Sequence, residues 1–112
     1  LSQSGMKPSD FKEKKILEVG AGNGRFTEIL LKYGAEVVAV DYSTAIEANY
    51  NNNRSHKGEI IFIQADLFCL PFKYESFDIV LCYGVLQHTG DNEKALLELC
   101  KYPKKNRRKA TC

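Results

Sequence analysis

The chain has 112 residues, 44% of them apolar and 27% charged, the proportions of one ordinary globular domain rather than of a disordered segment. Its longest uninterrupted apolar run is five residues, Ile79 to Tyr83, against the roughly 20 that a membrane-spanning helix needs, and no basic-then-apolar leader is read at its start. The net charge of +2 is unevenly spread: residues 101–112 hold six basic groups and no acid, leaving a body with 10 basic and 14 acidic groups.

Residues 1–14 read as a polar lead-in, with Gly5 and Pro8 interrupting any helix. Lys15–Val19 reads as a short strand running into a glycine cluster. Arg25–Tyr33 places Phe26, Ile29, Leu30 and Tyr33 at i, i+3, i+4 and i+7, the spacing of a helix with one apolar face, and Gly34 is positioned to end it. Val37–Val40 is wholly apolar, as expected of a strand buried on both faces. Thr44 and Glu47 have capping-box spacing, opening a helix through Asn51, and Asn52–Gly58 reads as a loop. Glu59–Gln64 is a third strand, residues 67–76 are irregular around Pro71, and Phe77–Cys82 is a fourth strand. Asp91 or Asn92 caps a last helix that reaches Tyr102 and is stopped by Pro103. Strands and helices in alternation imply an α/β fold, a parallel sheet with helices on both faces and right-handed crossovers.

Cys69, Cys82, Cys100 and Cys112 form no CxxC pair, and neither histidine stands at metal-ligand spacing from them. No metal site and no disulfide framework is therefore expected, and Cys82 and Cys100, set in apolar patterns, read as buried reduced thiols of a cytoplasmic protein. The basic tail over residues 103–112 has the charge to meet phosphates, but no aromatic side chain is interleaved with it. It is read as a solvated terminus, not as a nucleic-acid site.

The most informative segment is LEVGAGNGRF, Leu17 to Phe26, in which Gly20, Gly22 and Gly24 lie between a strand and a helix. Glycines there permit a tight turn and close approach of the backbone to a ligand, and the helix start offers unpaired N–H groups to an anion. The dinucleotide fingerprint GxGxxG would need glycine where Arg25 stands, and the Gly-Lys-Ser/Thr of a P-loop is absent. Asp41 ends the second strand, 21 residues after Gly20, where a carboxylate can accept hydrogen bonds from ribose hydroxyls or, alternatively, cap a helix. Tyr42 follows, with a ring suited to an adenine face. Asp66, after the third strand, can accept from an adenine amino group or cap its own loop.

Taken in order, LEVGAGNGRF, VVAVDYS, FIQADLFCLPF and FDIVLCYGVLQHT resemble the class I S-adenosylmethionine (SAM)-dependent methyltransferases over roughly residues 15–102. The last segment, with NEKALLELCK after it, is most similar to the small-molecule group that includes quinone-biosynthesis enzymes. The resemblance implies a Rossmann-like sheet with strand order 3-2-1-4, SAM as cofactor and a small-molecule acceptor as partner. It implies that Glu18 and the loop Gly20, Ala21, Gly22, Asn23, Gly24 hold the methionine part of SAM. Asp41 would bind the ribose with Tyr42 beside the adenine, and Asp66 and Leu67 would flank the adenine. Backbone at Cys82 and Tyr83 would approach the methionine ammonium. His88 is the candidate general base and Gln87 a candidate for orienting substrate, whereas His56, in a polar loop, is read as inert.

A complete member of that family has seven strands, and four are legible here. Where a glycine turn and a fifth strand would follow the last helix, the sequence reads CKYPKKNRRKATC. The expectation is a truncated or frame-shifted methyltransferase carrying the cofactor half, inactive alone, with Phe77–Cys82 as an apolar sheet edge through which copies self-associate. Two readings stay open beside it: a fragment of an NAD-dependent oxidoreductase, against which Arg25 stands, and a non-catalytic SAM-binding or interaction module.

Overall fold

The computed structural model describes residues 7–56, 59–82, 92–104 and 110–111. After a 3-10 turn at Pro8–Asp10 come β1 (Lys15–Val19), α1 (Arg25–Lys32), β2 (Glu36–Asp41), α2 (Ala45–Asn53) and β3 (Ile60–Gln64). A 3-10 turn at Leu67–Cys69, β4 (Ile79–Cys82), α3 (Asn92–Leu99) and β5 (Ala110–Thr111) follow. The strands form one parallel sheet in the order β3-β2-β1-β4-β5. The first four have the order and direction expected from the sequence.

Successive strand residues point to opposite faces, so an all-apolar strand needs cover on both. Leu17, Val19, Val38, Val40 and Val80 face α3, meeting Ala95, Leu99 and Tyr102 together with Leu67 and Phe77. Ile16, Val37, Ala39, Ile79 and Leu81 face the other way, onto Leu30 and Leu31 of α1, Ile46 of α2 and Phe11. The result is a three-layer α-β-α sandwich. At the N-terminal end of the sheet, Asp78 ties β1 to the start of β4: its carboxylate accepts from the Lys15 N–H at 2.9 Å and pairs with the Lys104 ammonium at 3.2 Å.

Five expectations are corrected. The first is the sheet edge: β4 is covered by β5, with Val80 and Leu81 in register with Ala110 and Thr111. Upstream, Phe77 pairs with Pro103, and the Lys104 N–H donates to the Phe77 carbonyl at 2.8 Å. Pro103, Lys104, Ala110 and Thr111 thus pair alongside Phe77 and β4, which covers the edge invoked for self-association. The second is the buried face of α1. Thr27, Leu30 and Leu31 are buried whereas Phe26 is 41% exposed, because Thr27 has a buried carboxylate to meet. The third is the capping box: the Thr44 side chain makes no cap, and the Ser43 hydroxyl accepts from the Ala45 N–H instead. The fourth is the end of α2, which continues through Asn52 and Asn53 because these side chains have partners across the fold. The fifth is Cys82, which is disulfide-bonded, whereas Cys69 and Cys100 are free thiols.

Candidate functional site

The C-terminal ends of β1 and β2 are laced together by the glycine loop. The N–H groups of Gly20 and Ala21 both donate to the Val40 carbonyl, at 2.8 and 3.0 Å. The chain then turns through left-handed backbone at Gly20, Gly22 and Gly24, with φ of 78°, 55° and 95°. A residue with a side chain rarely adopts these angles, which accounts for three alternate glycines. Asp41, 8% exposed, closes the loop from the side: its Oδ2 accepts from the Gly22 N–H at 2.8 Å, and its Oδ1 accepts from both the N–H and the hydroxyl of Ser43 at 2.9 Å. Among the described residues, donors fill three of the roughly four lone-pair positions of the carboxylate and leave one on Oδ2.

The second and third of these glycines differ in what surrounds them. A Cβ built on Gly22 meets nothing within 4 Å, so the backbone there borders an open cradle. A Cβ on Gly24 would overlap both Asn49 Oδ1 and Asn53 Nδ2. Those side chains are buried and hydrogen-bonded, so they cannot give way without breaking their bonds. Gly24→Ala is therefore expected to cost more stability than Gly22→Ala, by roughly 1–3 kcal/mol, since both share the left-handed penalty and only Gly24 adds overpacking. Urea denaturation of the two variants checks the order.

Under the loop lies Glu18, fully buried on β1 between Ala39 of β2 and Leu81 of β4. Its Oε1 accepts from the Thr27 hydroxyl. Its Oε2 is buried with no hydrogen-bond partner among the described residues. Burial pushes the carboxyl up from its ordinary 4.5 to about 7, against the opposing pull of the Thr27 hydrogen bond. An unsatisfied buried carboxylate oxygen is costly, and its place at a sheet end beside an open cradle marks it as a waiting acceptor.

The sequence reading missed Thr27, Asn49, Asn52 and Asn53. Asn52 donates to the Asn23 carbonyl at 3.0 Å and Asn53 to the Gly24 carbonyl at 3.2 Å, so α2 holds the glycine loop from below. The one available signal was the spacing of Asn49 and Asn53, four apart and in line with buried Ile46 and not with solvent.

The other expected residues fall as follows. Tyr42 is 54% exposed beside Asp41. Asp66 caps the 3-10 turn, its Oδ1 accepting from the Phe68 N–H at 2.8 Å. The Leu67 side chain is packed into the α3-side core. Cys82 ends β4 in register with Val19, next to the loop. Tyr83, Gln87, His88, Asp91 and Cys112 lie outside the described residues. Among the described residues no group of three or more His, Cys, Asp or Glu is placed to hold a metal ion.

Comparison with known proteins agrees with this geometry. The family model described as a methyltransferase domain matches residues 17–106. The ubiquinone biosynthesis O-methyltransferase of Coxiella burnetii is 33% identical over 86 residues, which are 76% of this chain and 37% of that protein. The demethylmenaquinone methyltransferase of Renibacterium salmoninarum is 32% identical over 91 residues, 81% of this chain and 37% of that protein. The chain thus spans little more than a third of the length of these curated relatives. Among solved structures, the YcgJ protein from Bacillus subtilis superposes with a TM-score of 0.76 at 27% identity, over 90% of this chain and 44% of that one. Phosphoethanolamine N-methyltransferase 1 of Haemonchus contortus, solved with phosphoethanolamine and S-adenosylhomocysteine, has a TM-score of 0.76 at 24% identity and shares the fold over 92% of this chain and 22% of its own. With the glycine loop, the closing aspartate and the buried glutamate all falling inside the matched residues, the chain belongs to the methyltransferase-domain family.

Proposed function

We propose that this chain is the cofactor-binding part of a SAM-dependent methyltransferase acting on a small-molecule acceptor. The observation that carries the reading is the coincidence, at one end of the sheet, of an open backbone cradle at Gly22 with two carboxylates left short of donors among the described residues, Asp41 by one lone pair on Oδ2 and Glu18 by the whole of its buried Oε2. These fit SAM, a ligand with a ribose, an adenine and a methionyl ammonium. A ribose hydroxyl completes Asp41 at Oδ2, the ammonium completes Glu18 at Oε2, and the chain passes over Gly22, where no side chain stands in the way. In this reading Tyr42 lies beside the adenine, Asp66 and Leu67 flank it, and backbone at Cys82 and Tyr83 approaches the methionine ammonium.

Bound there, SAM supplies an electrophilic methyl group for transfer to an acceptor oxygen, nitrogen or carbon. The contribution of this chain is to bind and orient, which by alignment alone accounts for much of the acceleration of such a transfer. His88 is the candidate for taking a proton from an acceptor that arrives protonated. A cytoplasmic location belongs to the same reading: the free thiols of Cys69 and Cys100 favour it, and the disulfide at Cys82 weighs against it.

An NAD-dependent oxidoreductase is disfavoured by Arg25 in place of the third fingerprint glycine. Calorimetric titration of the 112-residue chain with S-adenosylhomocysteine and with NAD separates these classes. Binding of S-adenosylhomocysteine at least tenfold tighter than NAD is expected, and equal affinity or a preference for NAD contradicts the proposal.

A further inference from the structure

The hydrogen bonds beneath the glycine loop run in one direction. Asn53 Nδ2 donates to Asn49 Oδ1 at 2.8 Å and to the Gly24 carbonyl at 3.2 Å. Asn49 Nδ2 donates to Thr27 Oγ1 at 3.0 Å, and the Thr27 hydroxyl donates to Glu18 Oε1. Asn49 and Asn53 are 0% and 3% exposed and Thr27 is 0% exposed, so no solvent competes for these bonds.

A hydroxyl has a single proton. Because Asn49 offers Thr27 a donor, that proton cannot point toward α2 and is directed at Glu18. Oε1 is thereby committed as an acceptor, and the carboxylate is turned so that Oε2 is the oxygen left over. A chain of buried donors from two helices ending on one strand carboxylate is more than packing requires: a valine at Thr27 and a leucine at Asn49 would fill the same layer without any polar group.

We propose that Thr27 and Asn49 are positioning residues, a relay that orients the Glu18 carboxylate and holds Oε2 ready for the ammonium of the bound cofactor's methionyl group. The proposal rests on the SAM reading above and extends it to residues that touch no cofactor atom. It also links α2 to the cofactor, since Asn53, bonded to Asn49, grips the Gly24 carbonyl and so couples the loop backbone to the carboxylate beneath it.

The test uses two ligands on the full 112-residue chain. S-Adenosylhomocysteine carries the ammonium, whereas 5′-methylthioadenosine keeps the adenosine and lacks the amino-acid end. Thr27→Val is expected to weaken S-adenosylhomocysteine tenfold or more while changing methylthioadenosine less than twofold. Thr27→Ser, which restores the hydroxyl, is expected to recover most of the loss. In a Glu18→Gln background the Thr27→Val effect is expected to disappear, because the group being positioned is gone. If Thr27→Val does not melt cooperatively, Asn49→Ala replaces it, with the same split between ligands at about threefold.

Equal weakening of both ligands would show a merely structural role and overturn the relay. Unchanged S-adenosylhomocysteine affinity would overturn it too. A parent chain that binds neither ligand would remove the SAM reading itself, an outcome distinct from a parent that binds both and variants that show no split.

Discussion

Asp41→Ala is expected to weaken S-adenosylhomocysteine binding by roughly 1–3 kcal/mol, the cost of removing a charged hydrogen-bonding partner. The carboxylate acts in two ways. It presents one lone pair to the ligand, and it fixes the loop by accepting from Gly22 and from Ser43. Alanine removes both, so the affinity loss is expected together with a lower melting temperature. Asp41→Asn separates them: its amide oxygen can still accept from Ser43, but its NH2 group opposes the Gly22 N–H. Calorimetry on the three proteins is expected to rank them parent, asparagine, alanine. Equal affinity in all three would count against Asp41 as a ligand-binding residue.

The second large effect is on stability. The Glu18 carboxyl titrates near 7 in the fold and near 4.5 when the chain is unfolded, because burial disfavours its charged form. Between those values the folded state holds a proton that the unfolded state has released. The ligand-free chain is therefore expected to lose stability as pH rises from about 4.5 to about 7, by roughly 3 kcal/mol from this group, with no further loss from it above that. Glu18→Gln, which cannot ionise, is expected to flatten that segment of the profile and to be the more stable protein at about pH 8. Ligand binding runs the opposite way: an ammonium beside Oε2 favours the carboxylate, so S-adenosylhomocysteine is expected to bind more tightly as pH rises through about 7. Urea denaturation at about pH 5 and about pH 8, with and without ligand, checks both directions. Parallel pH profiles for the parent and the Glu18→Gln variant would contradict the assignment.

The sheet was legible because its strands are short apolar runs. Val37–Val40 and Ile79–Leu81 have no polar residue to place in water, so only a sheet covered on both faces accommodates them. The glycine loop was legible because positive φ is a demand that sequence answers with glycine, and Gly20, Gly22 and Gly24 answer it. What escaped was set by long-range polar contacts. Asparagine is a weak helix former, so Asn52 and Asn53 read as loop, yet the carbonyls of Asn23 and Gly24 give them partners that extend α2. Likewise the apolar spacing in α1 favoured Phe26 as a core residue, while the buried carboxylate of Glu18 draws Thr27 inward and turns Phe26 outward. The pairing of Ala110 and Thr111 with β4 had no signal of its own, since two residues after a basic run carry no strand pattern.

Glu18, Gly22 and Asp41 were each singled out by position along the chain, but their division of labour was not. That Asp41 spends an oxygen on the Gly22 N–H, and that Glu18 keeps one with no partner among the described residues, depends on distances that only the folded chain defines.

A cofactor bound as proposed lies across the C-terminal ends of β1, β2 and β3. Amide-resolved NMR titration of the uniformly nitrogen-labelled chain with S-adenosylhomocysteine tests it most directly. Saturable shifts are expected at Gly20–Gly24, at Tyr42 and Ser43, and at Asp66 and Leu67. Shifts concentrated instead at the opposite end of the sheet, around the cleft of about 390 Å³ lined by Lys15, Glu36 and Ile60, or no shifts at millimolar ligand, would contradict it.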